Sequence, residues 1–159
     1  KVKKGHKKGE IWLRDQLLAK RSFVGIAPAA NGIQYHNGAL YVSVSDKGHI
    51  LKISLDKRGN PSPPTVHIKG LGGDDFAIDK DGTFYVTTHA GNSIVQVSPE
   101  GNVLGTIATI KEGVIGSTAA IIVYDKDGGK WLYVTNDGGF FGAPGRKLTP
   151  NLTRTLLEK

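Results

Sequence analysis

The sequence predicts an all-β protein, a partial β-propeller of about three blades, each a four-stranded antiparallel sheet. Three observations predict it. One segment pattern occurs three times along the 159 residues. Each copy holds a turn of Asn-Gly, Asp-Gly or Asp-Gly-Gly between two short apolar runs, and such turns supply the positive φ that tight hairpins need. The tyrosines that mark the pattern, Tyr41, Tyr85 and Tyr133, follow one another at 44 and 48 residues, a period in the range of propeller blades.

The first copy is Gly32-Ile-Gln-Tyr-His-Asn-Gly-Ala-Leu-Tyr-Val-Ser43. The second is Asp75-Phe-Ala-Ile-Asp-Lys-Asp-Gly-Thr-Phe-Tyr-Val-Thr87, and the third is Ala120-Ile-Ile-Val-Tyr-Asp-Lys-Asp-Gly-Gly-Lys-Trp-Leu-Tyr-Val-Thr135. Their Tyr, Val, Ile and Phe content suits half-buried strands. In the first blade the turn Asp46-Lys47-Gly48 leads to a strand over His49 to Leu55. A polar, Pro-rich loop then leads to Thr65-Val-His-Ile68. In the second, Ala90-Gly91-Asn92 turns into Ser93 to Val97, and Pro99-Glu100-Gly101 into Asn102 to Ile107. The third blade reads as cut short: Asn136-Asp-Gly-Gly139 and Phe140-Phe141 follow, then a basic stretch with Pro. Upstream, Glu10-Ile-Trp-Leu13 reads as the outer strand of a preceding blade, or Ile11 to Ala19 as a short helix.

The chain therefore divides into a basic tail and partial outer strand (1–24), blades over 25–70 and 71–112, an incomplete blade over 113–141, and a basic C-terminal tail (142–159). Blades are stable because each packs on two neighbours. An open arc leaves two apolar sheet faces, which should be covered by a second copy or by a missing half-propeller.

Composition excludes several classes. Without cysteine there is no disulfide, thiolate zinc site or cysteine nucleophile. No apolar run approaches the roughly 18 residues of a membrane-spanning helix, so no membrane partner is expected. The net charge is +7. Five of the 21 basic residues are Lys1, Lys3, Lys4, Lys7 and Lys8, and without them 16 basic residues face 14 acidic ones. The charge is a solvated head rather than a nucleic-acid footprint. The missing methionine, the missing cysteine and the single sequon Asn151-Leu152-Thr153 point to a secreted protein.

Ala29-Ala-Asn-Gly-Ile33, with the hairpin ending in Leu40-Tyr-Val42, resembles the Asn-Gly motif of the gluconolactonase/regucalcin-type calcium-dependent lactonases. Gly73-Asp-Asp-Phe-Ala-Ile-Asp-Lys-Asp-Gly82 and Gly116-Ser-Thr-Ala-Ala120 through Thr135 resemble that family's next two blades. The likeness covers about residues 25–140 and lies nearest a fungal-type branch, which includes relatives thought to catalyse cyclisation. It implies the later half of a six-bladed propeller. It also implies calcium or another divalent cation at the top of the central channel, with Asn31 and Asp74 in the Asn and Asp ligand positions and Asp74 as the base. The family's Glu ligand has no counterpart here, and Asp75 stands where the family usually has Gly. The chemistry suits a hard cation, which takes oxygen ligands and polarises a carbonyl.

His89, at the end of an inner-type strand, is a candidate for orienting substrate or carrying a proton. His36 and His49 read as surface residues. No Gly-x-Ser-x-Gly elbow surrounds Ser43, Ser45 or Ser117, which excludes a standard serine hydrolase. Asp79-Lys-Asp-Gly82 opens like a calcium loop but lacks its twelfth-position Glu and reads as a turn. The leading function is lactone or ester hydrolysis of a small molecule. The alternatives are a cofactor-free cyclase on the same scaffold and a non-catalytic binding protein.

Overall fold

The computed structural model describes residues 9–21, 25–139 and 149–158. The basic head at residues 1–8 and the pair Phe140-Phe141 lie outside the described residues. The first sheet contains β1 (Ala30–His36), β2 (Ala39–Val44), β3 (His49–Ser54) and β4 (Thr65–Lys69). The second contains β5 (Phe76–Ile78), β6 (Phe84–Thr88), β7 (Ser93–Val97) and β8 (Val103–Ala108). The third contains β9 (Ser117–Tyr124), β10 (Lys130–Asn136) and β11 (Asn151–Glu158). The first two sheets are meanders in chain order, and the third runs β9, β10, β11. All pairings are antiparallel.

Turn chemistry sets the hairpins. Asn37 (φ 44°) and Gly38 (φ 76°) are both left-handed and close the two-residue turn between β1 and β2. After the second strand of each four-stranded sheet comes a short 3-10 turn, Ser45–Lys47 and His89–Gly91. Each ends on a left-handed residue, Gly48 or Asn92.

Period-2 alternation decides which sheet packs on which. Tyr41 and Ile50 face the second sheet and meet Phe76, Phe84 and Val97 in one buried cluster. Tyr41 stands edge-on to Phe84 at 5.1 Å between ring centres. The opposite face of the second sheet, with Ala77, Tyr85 and Ile94, meets Leu132 and Val134 of the third and Val114 of the loop before it. Burying a side chain such as Phe84 contributes about 1.5–3 kcal/mol.

In the first two sheets the hydroxyl that ends the Tyr-Val-Ser/Thr run fastens neighbouring sheets. Ser43 accepts from the Gly32 amide (2.8 Å) and donates to the Asp74 carbonyl of the next sheet (2.7 Å). Thr87 accepts from the Asp75 amide (3.1 Å) and reaches the Thr118 carbonyl of the third sheet (3.0 Å). These bonds align Gly32 with Asp75, and hence Asn31 with Asp74 and Thr118, as equivalent positions of the repeat.

Four expectations need correction. Residues 11–15 form neither strand nor helix, and only a turn at 16–18 follows. Polar ties to Lys47, whose ammonium binds the Gln16 carbonyl at 2.6 Å, take the place of ladder bonds. Residues 151–158, read as tail, are a third strand of the third blade, paired with β10 from Asn136↔Asn151 to Lys130↔Glu158. Its alternating side chains give it an inner face, with Leu157 partly buried against the core cluster. The outer side of the first sheet is covered only in part: Val44 and Leu51 are fully buried and Ile53 and Val42 nearly so, while Ile33, Tyr35 and Val66 on the same side are exposed. In addition, His36 and His49, expected at the surface, are half-buried.

Candidate functional site

The chain presents a cleft of about 650 Å³ where the first strands of the three sheets begin and their second strands end. Two sets of repeat-equivalent residues line it. Asn31, Asp74 and Thr118 come from the starts of the first strands. Ser45, His89 and Asp137 each stand four residues after the marker tyrosine of their blade. Ile26, Ala27 and Pro28 add an apolar wall.

Close approach of backbones builds the first set. At Gly32 a Cβ would sit 2.9 Å from the Asp75 Cα, so only glycine lets β1 come this near the second sheet. That approach brings Asn31 to Asp74, and the Asn31 amide donates to Asp74 Oδ1 at 2.7 Å and to Ser45 Oγ at 3.3 Å. Ser45 in turn donates to the Gly73 carbonyl at 2.8 Å.

The second set holds a histidine–carboxylate pair. His89 Nε2 lies 2.7 Å from Asp137 Oδ2, with the imidazole mostly buried and the carboxylate partly so. An ionised carboxylate only accepts, so Nε2 carries the hydrogen. The other Asp137 oxygen accepts from the Gly139 amide at 2.7 Å, which fixes the carboxylate. Asp137 was not singled out from the sequence. Its signal was the repeat offset it shares with His89, hidden because Asn-Asp-Gly-Gly also reads as a plain turn.

Asp75 points away from this chemistry, into the seam beside Gly32. Burial pushes its carboxyl above the ordinary range. The Phe76 amide opposes the rise and the neighbouring Asp74 charge adds to it. Asp79, expected to be a turn residue, is almost fully buried in the seam between the second and third sheets. Burial works to raise it, but Lys130 Nζ at 2.8 Å and the Tyr124 hydroxyl outweigh burial and hold it below the usual carboxylate range. Lys130 also meets Glu158 at 2.9 Å, and its ammonium is held well above its ordinary value.

Neither a protein-family model nor a curated protein sequence matches the chain. Solved structures do. A luciferin-regenerating enzyme superposes with a TM-score of 0.62 at 19% identity, over 80% of this chain and 44% of its own. A calcium-binding protein, regucalcin, from Agrobacterium tumefaciens superposes with a TM-score of 0.60 at 18% identity, over 79% of this chain and 45% of its own. The fold is that of part of a β-propeller, shared with these two structures. The chain spans less than half the length of either neighbour.

Asn31 and Asp74 fit a hard cation in donor chemistry, since both carry oxygen and their side chains touch. They do not fit it in number. Calcium takes about 6–8 oxygens, and no group of three or more His, Cys, Asp or Glu is placed to hold a metal among the described residues.

Proposed function

We propose that the cleft is the small-molecule site of a lactone or ester hydrolase, in which His89 held by Asp137 handles the proton. The observation that carries the reading is the His89–Asp137 pair at 2.7 Å in the same cleft as Asn31 and Asp74. Hydrogen on Nε2 faces Asp137, which fixes the tautomer, and the neutral imidazole is the base. It takes a proton from water as the water oxygen bonds to the carbonyl carbon. The imidazolium that forms is stabilised by Asp137 and returns its proton to the departing alkoxide as the ring or ester C–O bond breaks. Asn31 and Asp74 form the second polar pole of the cleft and orient the carbonyl end of the substrate. Calcium or another divalent cation, held there by Asn31 and Asp74 with further oxygen ligands, would polarise that carbonyl.

The test is hydrolysis of small lactones and aryl esters, with calcium and with chelator, by the protein and by His89→Gln, Asp137→Asn and Asp74→Asn variants. General-base work by His89 predicts a loss of about 10²–10⁴-fold in kcat/KM for His89→Gln. Unchanged turnover in that variant together with loss in Asp74→Asn would overturn the assignment and make Asp74 the base. Saturable ligand binding with no turnover in any form would favour a non-catalytic binding protein.

A further inference from the structure

His89 and Asp137 follow strands of different sheets, 48 residues apart, and one side chain joins the turns that carry them. His89 opens the 3-10 turn His89–Gly91. Asn92 ends that turn with φ 50°, and its amide donates to the His89 carbonyl at 3.3 Å. Asn92 is buried, and its side-chain Oδ1 accepts from the Gly116 amide at 2.7 Å. The Gly116 carbonyl in turn accepts from the Asp137 amide at 2.9 Å. A Cβ at Gly116 would overlap the Asp137 carboxylate, so that carboxylate lies against the Gly116 backbone. These bonds run from the His89 carbonyl to the Asp137 amide, and Asn92 contributes the one side chain among them.

The repeat marks this link as an exception. Seven residues after its marker tyrosine the first blade has Gly48 where the second has Asn92, and both are left-handed. With no side chain at Gly48, the join to the next sheet is made by backbone alone, the Gly48 carbonyl accepting from the Leu71 amide at 3.0 Å. The equivalent amide in the third blade, that of Ile115, instead donates to Asn136 Oδ1 at 3.2 Å. Glycine holds a left-handed turn at less cost than asparagine, so the backbone alone gives no reason for Asn92. Nearby, the Thr87 hydroxyl reaches the Thr118 carbonyl (3.0 Å) and Ser117 Oγ donates to the Ser93 carbonyl (3.3 Å). Neither bond involves the His89–Gly91 turn or Gly116. We infer that Asn92 is a positioning residue for the His89–Asp137 pair. Its side-chain oxygen fixes the corner of Gly116 and Asp137 against the His89 turn, and so sets the 2.7 Å separation of imidazole and carboxylate. Hydrogen bonds weaken steeply as distance and angle depart from ideal, and an imidazole that loses its partner can carry its hydrogen on either nitrogen. The bearing of Asn92 on turnover rests on the hydrolase reading, whereas its bearing on the pair does not.

The test is nitrogen-15 NMR of the full chain labelled at histidine, at about pH 8, above the ordinary range of an imidazole. The parent should show His89 as a single tautomer with a hydrogen-bonded Nε2 proton at low field. Asn92→Gly keeps the left-handed backbone and deletes the link, so it should show mixed tautomers and lose the low-field proton. In the lactone and ester assay it should lower kcat about 10²-fold with KM little changed, the cost of a misplacement of about 1 Å. Asn92→Asp keeps an oxygen for the Gly116 amide and should retain the parent signature. Ser117→Ala removes a neighbouring bond of the same seam and should also retain it, which separates positioning from general loosening. An unchanged His89 signature in Asn92→Gly would overturn the inference, and so would an equal loss of that signature in Ser117→Ala. If no form turns over any substrate, the hydrolase reading falls, and the tautomer measurement still decides the role of Asn92.

Discussion

Asp75 is the residue whose replacement should stabilise this protein. At the equivalent positions of the other blades the chain has Gly32 and Ala119, which carry no charge. Asp75 Oδ1 is buried and has no hydrogen-bond partner among the described residues. A buried polar atom without a partner costs about 1–3 kcal/mol, and because the residue as a whole is only half-buried, the lower end, about 1 kcal/mol, is expected. The pH dependence follows from the direction of the shift. Burial raises the carboxyl in the folded state, so the native protein binds this proton more tightly than the unfolded chain does. Stability from this group is present below its unfolded value of about 3.9 and is lost as pH rises through its higher folded value. Asp75→Ala removes both the charge and the unpartnered atom, and places here the residue type of Ala119. Urea unfolding should show the variant more stable by about 1 kcal/mol near pH 8. The gain should shrink or vanish near pH 4, where the parent carboxyl holds its proton. Other carboxylates titrate alike in both proteins, so their contributions cancel in the difference. A variant less stable than its parent near pH 8, or a gain that is the same at both pH values, would refute the reasoning.

Gly32→Ala forces a Cβ to within 2.9 Å of the Asp75 backbone, so it should lower stability by about 1–3 kcal/mol in chemical denaturation, and an unchanged midpoint would show that the two sheets separate freely. Lys130→Met leaves Asp79, 3% exposed, without its ammonium and should cost about 3–5 kcal/mol. Adding Asp79→Leu should recover most of that loss, because the buried charge is then gone as well. Asp79 is held low in the fold, so its stabilisation is present above its unfolded pKa and is lost as pH falls toward the folded value. Relative to the parent, Lys130→Met should therefore flatten the acid limb of a stability–pH curve measured by thermal unfolding.

The hairpins were legible because their cause is local. Asn37-Gly38 and Asp81-Gly82 can close only a few backbone shapes, and the alternating apolar residues on either side then choose a face. Residues 151–158 escaped for the opposite reason. Their partner β10 ends at Asn136, so nothing local announces the pairing, although Leu152, Arg154 and Leu156 alternate with Thr153, Thr155 and Leu157 at a strand's period of two. The site shows a third case. Resemblance pointed to Asn31 and Asp74, and the structure explains why those two meet: Gly32 permits the approach and Ser43 bridges it. Asp137 had no motif of its own. Position within the repeat identifies it, because whatever stands four residues after each marker tyrosine is delivered to the same cleft. A repeat places its exceptions as reliably as its rule. The positions where Ser45, His89 and Asp137 differ in chemistry are therefore the ones on which the proposed function rests, while Tyr41 and Tyr85, where the blades agree, pack on a neighbouring sheet.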